Sequence, residues 1–163
     1  MKLIWIQLAL GLFQADLAVK HEMDKEDGED AASGRERELC GGAVRIRRLR
    51  NYGMAGGRFA GHMPAIIKVS TMTTLGCAGA FLCTLLRKGH ELQKAGFALL
   101  TGGALSNLYD RCRKGYVVDY VSFRTPFPRL NRLVFNLSDF FILAGALLVC
   151  LGQTAEKTRG RQE

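Results

Sequence analysis

Apolar residues gather in four blocks, and nearly all charges lie in the stretches between them. The blocks are Leu3–Val19, Pro64–Leu86, about Gln93–Tyr109 and Phe135–Gly152. A membrane-spanning helix needs roughly 17–25 mostly apolar residues. The second and fourth blocks meet that length; the first and third are at its short end and turn polar near one end. The pattern predicts an all-α membrane protein of four transmembrane helices, with spans near 3–19, 64–86, 93–109 and 135–152. A single integral membrane domain, 1–163, is expected. Gly76-Cys-Ala-Gly-Ala80, Gly102-Gly-Ala104 and Ala144-Gly-Ala146 place small residues inside these blocks, where helices can approach closely.

Between the first two blocks the pattern changes twice. Residues 21–38 are acidic, mixed and poor in large apolar residues, which predicts a solvated loop insert. Ala43–Arg50, AVRIRRLR, alternates apolar and basic residues, and period-two alternation predicts a short strand near the membrane surface. The helices are therefore expected to carry a small β-like loop subdomain. The first block also has the outline of a secretory signal peptide, but no clean small-residue cleavage site follows it and Asp16 occupies the expected position. A retained helix is the expectation.

Composition adds a basic excess. The formal net charge is +8, yet mean hydropathy is only +0.03, because charges cluster outside the blocks. Basic residues flank apolar helices, and no nucleic-acid-binding signature is present, so membrane lipid is the expected anionic partner rather than nucleic acid. Five cysteines without a CxxC pair and three histidines without ligand spacing suggest neither a metal site nor a cofactor.

Four spans put both termini on one side and the loops Lys20–Met63 and Asp110–Val134 on the other. Asp119 then lies in the second loop, and Asp139 lies one turn inside the fourth helix at the same face. Carboxylates so placed are costly, by roughly 2.5–3.5 kcal/mol at a bilayer centre, and are functional candidates for that reason. The two loops hold nine and six Lys or Arg, against about seven on the other side. Taken alone, the positive-inside rule would turn the aspartates to the cytoplasm.

Four local motifs stand out, one running from Asn107 through Asp110 and Arg111 to Asp119, one from Asn136 to Asp139, one from Asp16 to Lys20 and one from Asn51 to Ala55; together they resemble those of lipoprotein signal peptidases (signal peptidase II, peptidase family A8). Gly102-Gly-Ala-Leu-Ser-Asn107-Leu-Tyr-Asp110-Arg111 with Gly115-Tyr-Val-Val-Asp119-Tyr resembles the family's central motif. Phe135-Asn136-Leu-Ser-Asp139 resembles its last one. Asp16-Leu-Ala-Val-Lys20 is similar to its first-helix Asp-x-x-x-Lys, and Asn51-Tyr-Gly53-Met-Ala55 to its Asn-x-Gly-x-Ala. Leu17, Ser106 and Ser138 depart from the common Gln, Gly and Ala, and the acidic insert is unusual for the first loop.

The resemblance implies an aspartic endopeptidase that removes the signal peptide of a diacylglyceryl-modified prolipoprotein, cutting before the lipidated cysteine. It maps the catalytic dyad onto Asp119 and Asp139, and supporting or substrate-binding roles onto Asp16, Asn51, Asn107, Arg111 and Asn136. It implies a multi-pass monomer in the bacterial cytoplasmic membrane, an active site at the extracytoplasmic face, and sensitivity to globomycin-type inhibitors. That orientation, resting on motif identity, overrides the charge count.

The chemistry suits two carboxyls. Close carboxylates cannot both ionise, so one proton is shared; the ionised member takes a proton from water while the other hydrogen-bonds the scissile carbonyl. Spacing adds detail. Asn107 and Arg111, and Asp16 and Lys20, are four apart on helices, and Asn136 precedes Asp139 by three, so each pair shares a face. Asp16 is expected to tie down the first helix through Lys20. Arg111 is expected to pair with a substrate carbonyl or with Asp110, and Asp110 is read as a satisfied interfacial charge. The alternative is a catalytically inactive or non-enzymatic four-helix membrane protein, which would not need both aspartates at one depth. A secreted soluble protein would leave three further apolar blocks unexplained.

Overall fold

A computed structural model describes residues 2–25, 37–54 and 57–159. Four long helices carry the chain: α1 (Lys2–Lys25), α2 (Met63–Leu86), α3 (Glu91–Lys114) and α4 (Leu137–Arg159). Three strands accompany them, β1 (Arg37–Leu39), β2 (Val44–Asn51) and β3 (Val117–Phe123), in one antiparallel sheet of order β1-β2-β3.

The helices outrun their apolar blocks. At 1.5 Å per residue, a 24-residue helix is about 36 Å long, longer than a hydrocarbon core of about 30 Å. Helix α1 continues through His21–Lys25 and β1 takes up Arg37 and Glu38, so both ends of the loop insert expected at 21–38 are regular structure. Residues 26–36 of it, and Ala55 of the Asn-x-Gly-x-Ala motif, lie outside the described residues. Helix α3 runs on to Lys114 and stops at Gly115, which takes a left-handed φ of 77° that favours glycine.

Among the described residues, three helices are long and apolar enough to cross a membrane: α1, α2 and the Leu137–Glu156 part of α4. Helix α3 falls short of that criterion because it is polar on the inside. It buries Gln93, Lys94, Thr101, Ser106, Asn107 and Asp110, and α1, α2 and α4 all pack against it. The contacts are close because glycines line them. A Cβ at Gly96 would stand 2.8 Å from the Gly145 carbonyl oxygen of α4, one at Gly102 2.7 Å from that of Ala9 in α1, and one at Gly103 2.8 Å from that of Ser138. The last contact draws the start of α4 against the polar end of α3.

The predicted strand at Ala43–Arg50 is β2, displaced by one residue. Its partner β3 was expected to be loop. Val117, Val118, Asp119, Tyr120 and Ser122 of β3 are all buried. Beyond β3, the Phe135 N–H donates to the Val121 carbonyl (2.7 Å), and the Phe135 carbonyl accepts from Tyr120 and Val121 N–H (2.8 and 2.7 Å). That bridge fixes the entry of α4 directly beside β3.

Candidate active site

Asp119 sits on β3 opposite Leu49, near the last residue of β2, Asn51. Asp139 sits in the first turn of α4. The chain between them is folded back by the Phe135 bridge, and the residue after the bridge is Asn136. Asn136 caps α4: its Oδ1 accepts from the Asp139 N–H (3.1 Å), and its own N–H donates to Asp139 Oδ2 (3.0 Å). This reciprocal pair is a capping box with Asp in place of Glu or Gln at the third helical position. The Asn136 amide remains free to reach across, and Nδ2 donates to Asp119 Oδ1 (2.7 Å). One buried asparagine thus holds both carboxyls, through a backbone motif on one side and a side-chain donor on the other.

Two more amides complete the ring. Asn51 Nδ2 donates to Asp119 Oδ2 (2.9 Å), while Asn51 Oδ1 accepts from Gly53 N–H (2.9 Å). Asn107 Nδ2 donates to Asp139 Oδ1 (3.3 Å), and Asn107 Oδ1 accepts from Asn136 Nδ2 (3.2 Å) and Lys20 Nζ (2.8 Å). With the ammonium on its oxygen, the Asn107 amide can present only its NH2 to Asp139. Arg111, one turn on, donates to the carbonyls of Asn107 and Gly53 (3.4 Å each), and its buried Nε has no hydrogen-bond partner among the described residues. Asp119 is 3% exposed, and burial, reinforced by the charge of Asp139 and opposed by the Asn51 and Asn136 donors, pushes its pKa up to about 6.

A cavity of about 560 Å³ opens over this ring, lined by Asn51, Arg58, Asn107, Arg111, Asn136 and both aspartates. Six of the seven residues expected at the site therefore share one cavity. Asp16 is the exception. It is fully buried behind Asn107, where Oδ2 pairs with Lys20 (2.8 Å) and accepts from Ser106 (2.6 Å) and Ser138, and Oδ1 accepts from Tyr120 (3.1 Å). The Tyr120 hydroxyl in turn accepts from the Leu137 N–H (3.0 Å). Burial and the Asp16 carboxylate hold that phenol protonated above its usual range. Asp16 thus joins α1, α3, β3 and α4.

One expectation needs correction. Asp110 does not pair with Arg111. Neighbours in sequence point to different helix faces, and Asp110 instead pairs with Lys114 (3.1 Å) and Lys20 (3.4 Å) and accepts from Val118 N–H (3.3 Å). It is fully buried. Arg58 and Tyr120 carried no signal in the sequence. Arg58 reads as one of many basic residues, and Tyr120 reaches Asp16 across 104 positions.

The profile of the family described as Signal peptidase (SPase) II matches residues 8–154. Among curated proteins, the chain is 39% identical over 112 residues to a lipoprotein signal peptidase of Caldicellulosiruptor bescii, covering 68% of this chain and 67% of that protein. It is 48% identical over 69 residues to one of Mesorhizobium japonicum, spanning 42% of this chain and only 40% of the relative. Two solved bacterial membrane enzymes share the fold, with TM-scores of 0.77 and 0.70 at 21% and 22% identity; the first covers 96% of this chain and 90% of its own.

Proposed function

The chain belongs to the signal peptidase II family, and from that premise we propose that it is an aspartic endopeptidase cutting diacylglyceryl-modified prolipoproteins just before the lipidated cysteine. The observation that carries this reading is the pairing of Asp119 and Asp139 through Asn136 in one cavity. Two buried carboxyls held by amide donors share one proton. The ionised carboxyl takes a proton from water as that water attacks the scissile carbonyl carbon, and the protonated one donates to the carbonyl oxygen. The tetrahedral intermediate then breaks its C–N bond, and the cysteine nitrogen leaves with a proton from the dyad. The freed signal peptide keeps the new carboxylate. Arg111, whose buried Nε is unpaired among the described residues, and Asn51 bind the substrate backbone beside the dyad. Asp16 acts at a distance, through Lys20 and Asn107.

The same reading makes residues 1–163 one integral domain with four transmembrane helices. Support for α3 as the fourth span comes from its enclosure: its polar residues face α1, α2 and α4, so lipid need not meet them. The protein acts as a monomer in the bacterial cytoplasmic membrane. The sheet and the dyad lie at the extracytoplasmic face, and globomycin-type inhibitors compete for the cavity.

The test is conversion of a synthetic diacylglyceryl-prolipoprotein by the purified protein in detergent, followed by mass spectrometry. The expected products are a free signal peptide ending one residue before the cysteine and an S-diacylglyceryl cysteine with a free amine, and globomycin blocks their formation. Absence of both products with a stably folded protein refutes the proposal.

A further inference from the structure

A second cavity of about 350 Å³ adjoins the one over the dyad, and Phe135 and Asp139 line both. Its walls are aromatic. Phe123, Phe135 and Phe140 meet pairwise at centroid distances of 5.9–6.1 Å. Leu130 and Leu143 complete it. Besides Asp139, the polar side chain in the lining is Thr125, whose hydroxyl is already engaged with the Phe127 carbonyl (3.2 Å) and Asn131 Oδ1 (3.0 Å). Phe135 bridges the neighbouring edge of β3 at Val121. The aromatic and aliphatic lining offers an extended peptide few partners for its backbone groups, whereas a hydrocarbon chain has none to pair.

The far end of this groove meets the bilayer. Leu143 is 61% exposed, and Leu147 and Leu151, one and two turns further along α4, are 58% and 60% exposed. Residues four apart form one stripe, and α4 is apolar enough to cross a membrane. Leu143 therefore belongs both to the groove and to the lipid-facing stripe.

We infer that this groove receives one acyl chain of the substrate's diacylglyceryl group, which runs from the dyad past Phe140 and Leu143 into the bilayer. The inference rests on the proposed function. The groove orients more than it attracts, because lipid tails solvate a hydrocarbon chain about as well as Phe and Leu do. Seating the chain places the lipidated cysteine on one fixed side of the dyad and leaves the polar cavity for the peptide. A phospholipid tail is the competing occupant.

The experiment uses a prolipoprotein peptide with a diazirine in mid-acyl chain, bound to the Asp119→Asn protein in nanodiscs. After irradiation, adducts are mapped by mass spectrometry. Labelling is expected to concentrate on Phe140 and Leu143 relative to Leu75 and Leu82, which are exposed on α2. A diazirine phospholipid without substrate should show no such preference. Equal labelling of groove and α2, or equal labelling of the groove by the phospholipid, overturns the inference. As a second arm, Leu143→Trp should lower kcat/KM about tenfold for a long-chain substrate, by overpacking the groove. A substrate with chains too short to pass Leu143 should be spared, and equal losses for both count against the groove. Cleavage of the same peptide by the unmodified enzyme is followed in parallel. No cleavage sinks the proposed function; cleavage without groove labelling sinks this inference alone.

Discussion

Replacing Asn136 separates two jobs that one side chain performs. Asn136→Ala removes the cap acceptor for the Asp139 N–H and the amide donor to Asp119. Loss of a cap costs about 1 kcal/mol, and loss of a buried hydrogen bond to an ionised group about 1.5–3 kcal/mol. Asn136→Ala should therefore destabilise the protein by roughly 2.5–4 kcal/mol. Asn136→Ser keeps a capping oxygen and loses only the donor, so it should recover about 1 kcal/mol of that loss. Both variants take from Asp119 a donor that favours its ionised form. At 1.36 kcal/mol per pKa unit, the Asp119 pKa should rise by about 1–2 units from its value of about 6. Thermal unfolding in detergent reads the first effect. The pH profile of kcat/KM on a lipidated peptide reads the second, since it reports the free enzyme, with an alkaline limb that belongs to the coupled pair. Equal stability of the Ser and Ala variants would remove the capping role. An alkaline limb unmoved in both would show that Asn136 does not touch the ionisation of the dyad.

Further outcomes follow from the same geometry. The folded pKa of Asp119, about 6, lies above the ordinary aspartate value of 3.8, so the native state holds this proton more tightly than the unfolded chain. Its stabilising contribution is complete below about pH 3.8 and is lost as pH rises through about 6. Asp119→Asn should accordingly gain up to about 3 kcal/mol relative to wild type at pH 7.5 and lose the advantage at pH 4, as followed by unfolding in detergent. Lys20→Met would leave Asp16 and Asp110 without their shared buried cation; a loss of about 3–5 kcal/mol is expected, visible as poor thermal stability even in mild detergent. Gly103→Val forces a Cβ to within 2.8 Å of the Ser138 carbonyl and should lower both stability, by about 1–3 kcal/mol, and turnover. Gly76→Ala, with nothing within 4 Å, should leave both unchanged.

The parts of the fold legible in the sequence are those set by local periodicity. Alternation in AVRIRRLR marked β2, and unbroken apolarity marked α2 and α4. The Asn136–Asp139 spacing marked a shared helix face, although its form as a capping box needed the backbone. Strand β3 was hidden because both of its faces are buried and it follows a basic helix end, so it shows no alternation. Helix α3 read short because its polar residues resemble a loop boundary; they are buried against three other helices, and a single chain's pattern does not distinguish inward from outward polarity. Ser106 and Ser138 stood out only as departures from a motif. Their contact with Asp16 depends on helix packing that brings positions 90 and 122 apart onto one carboxylate. Asp110 was matched to its neighbour Arg111, although the helical spacing to Lys114 pointed to the pair that forms.

In the proposed reaction Asp119 and Asp139 act together on a peptide bond. The direct measurement is turnover of a diacylglyceryl-prolipoprotein by Asp119→Asn and Asp139→Asn, each purified in the same detergent and shown to be folded. Either change is expected to lower kcat by at least about 10³-fold, with the double variant no worse than the singles, because the two carboxyls work as a unit. Turnover within tenfold of wild type in either folded variant would contradict this joint action.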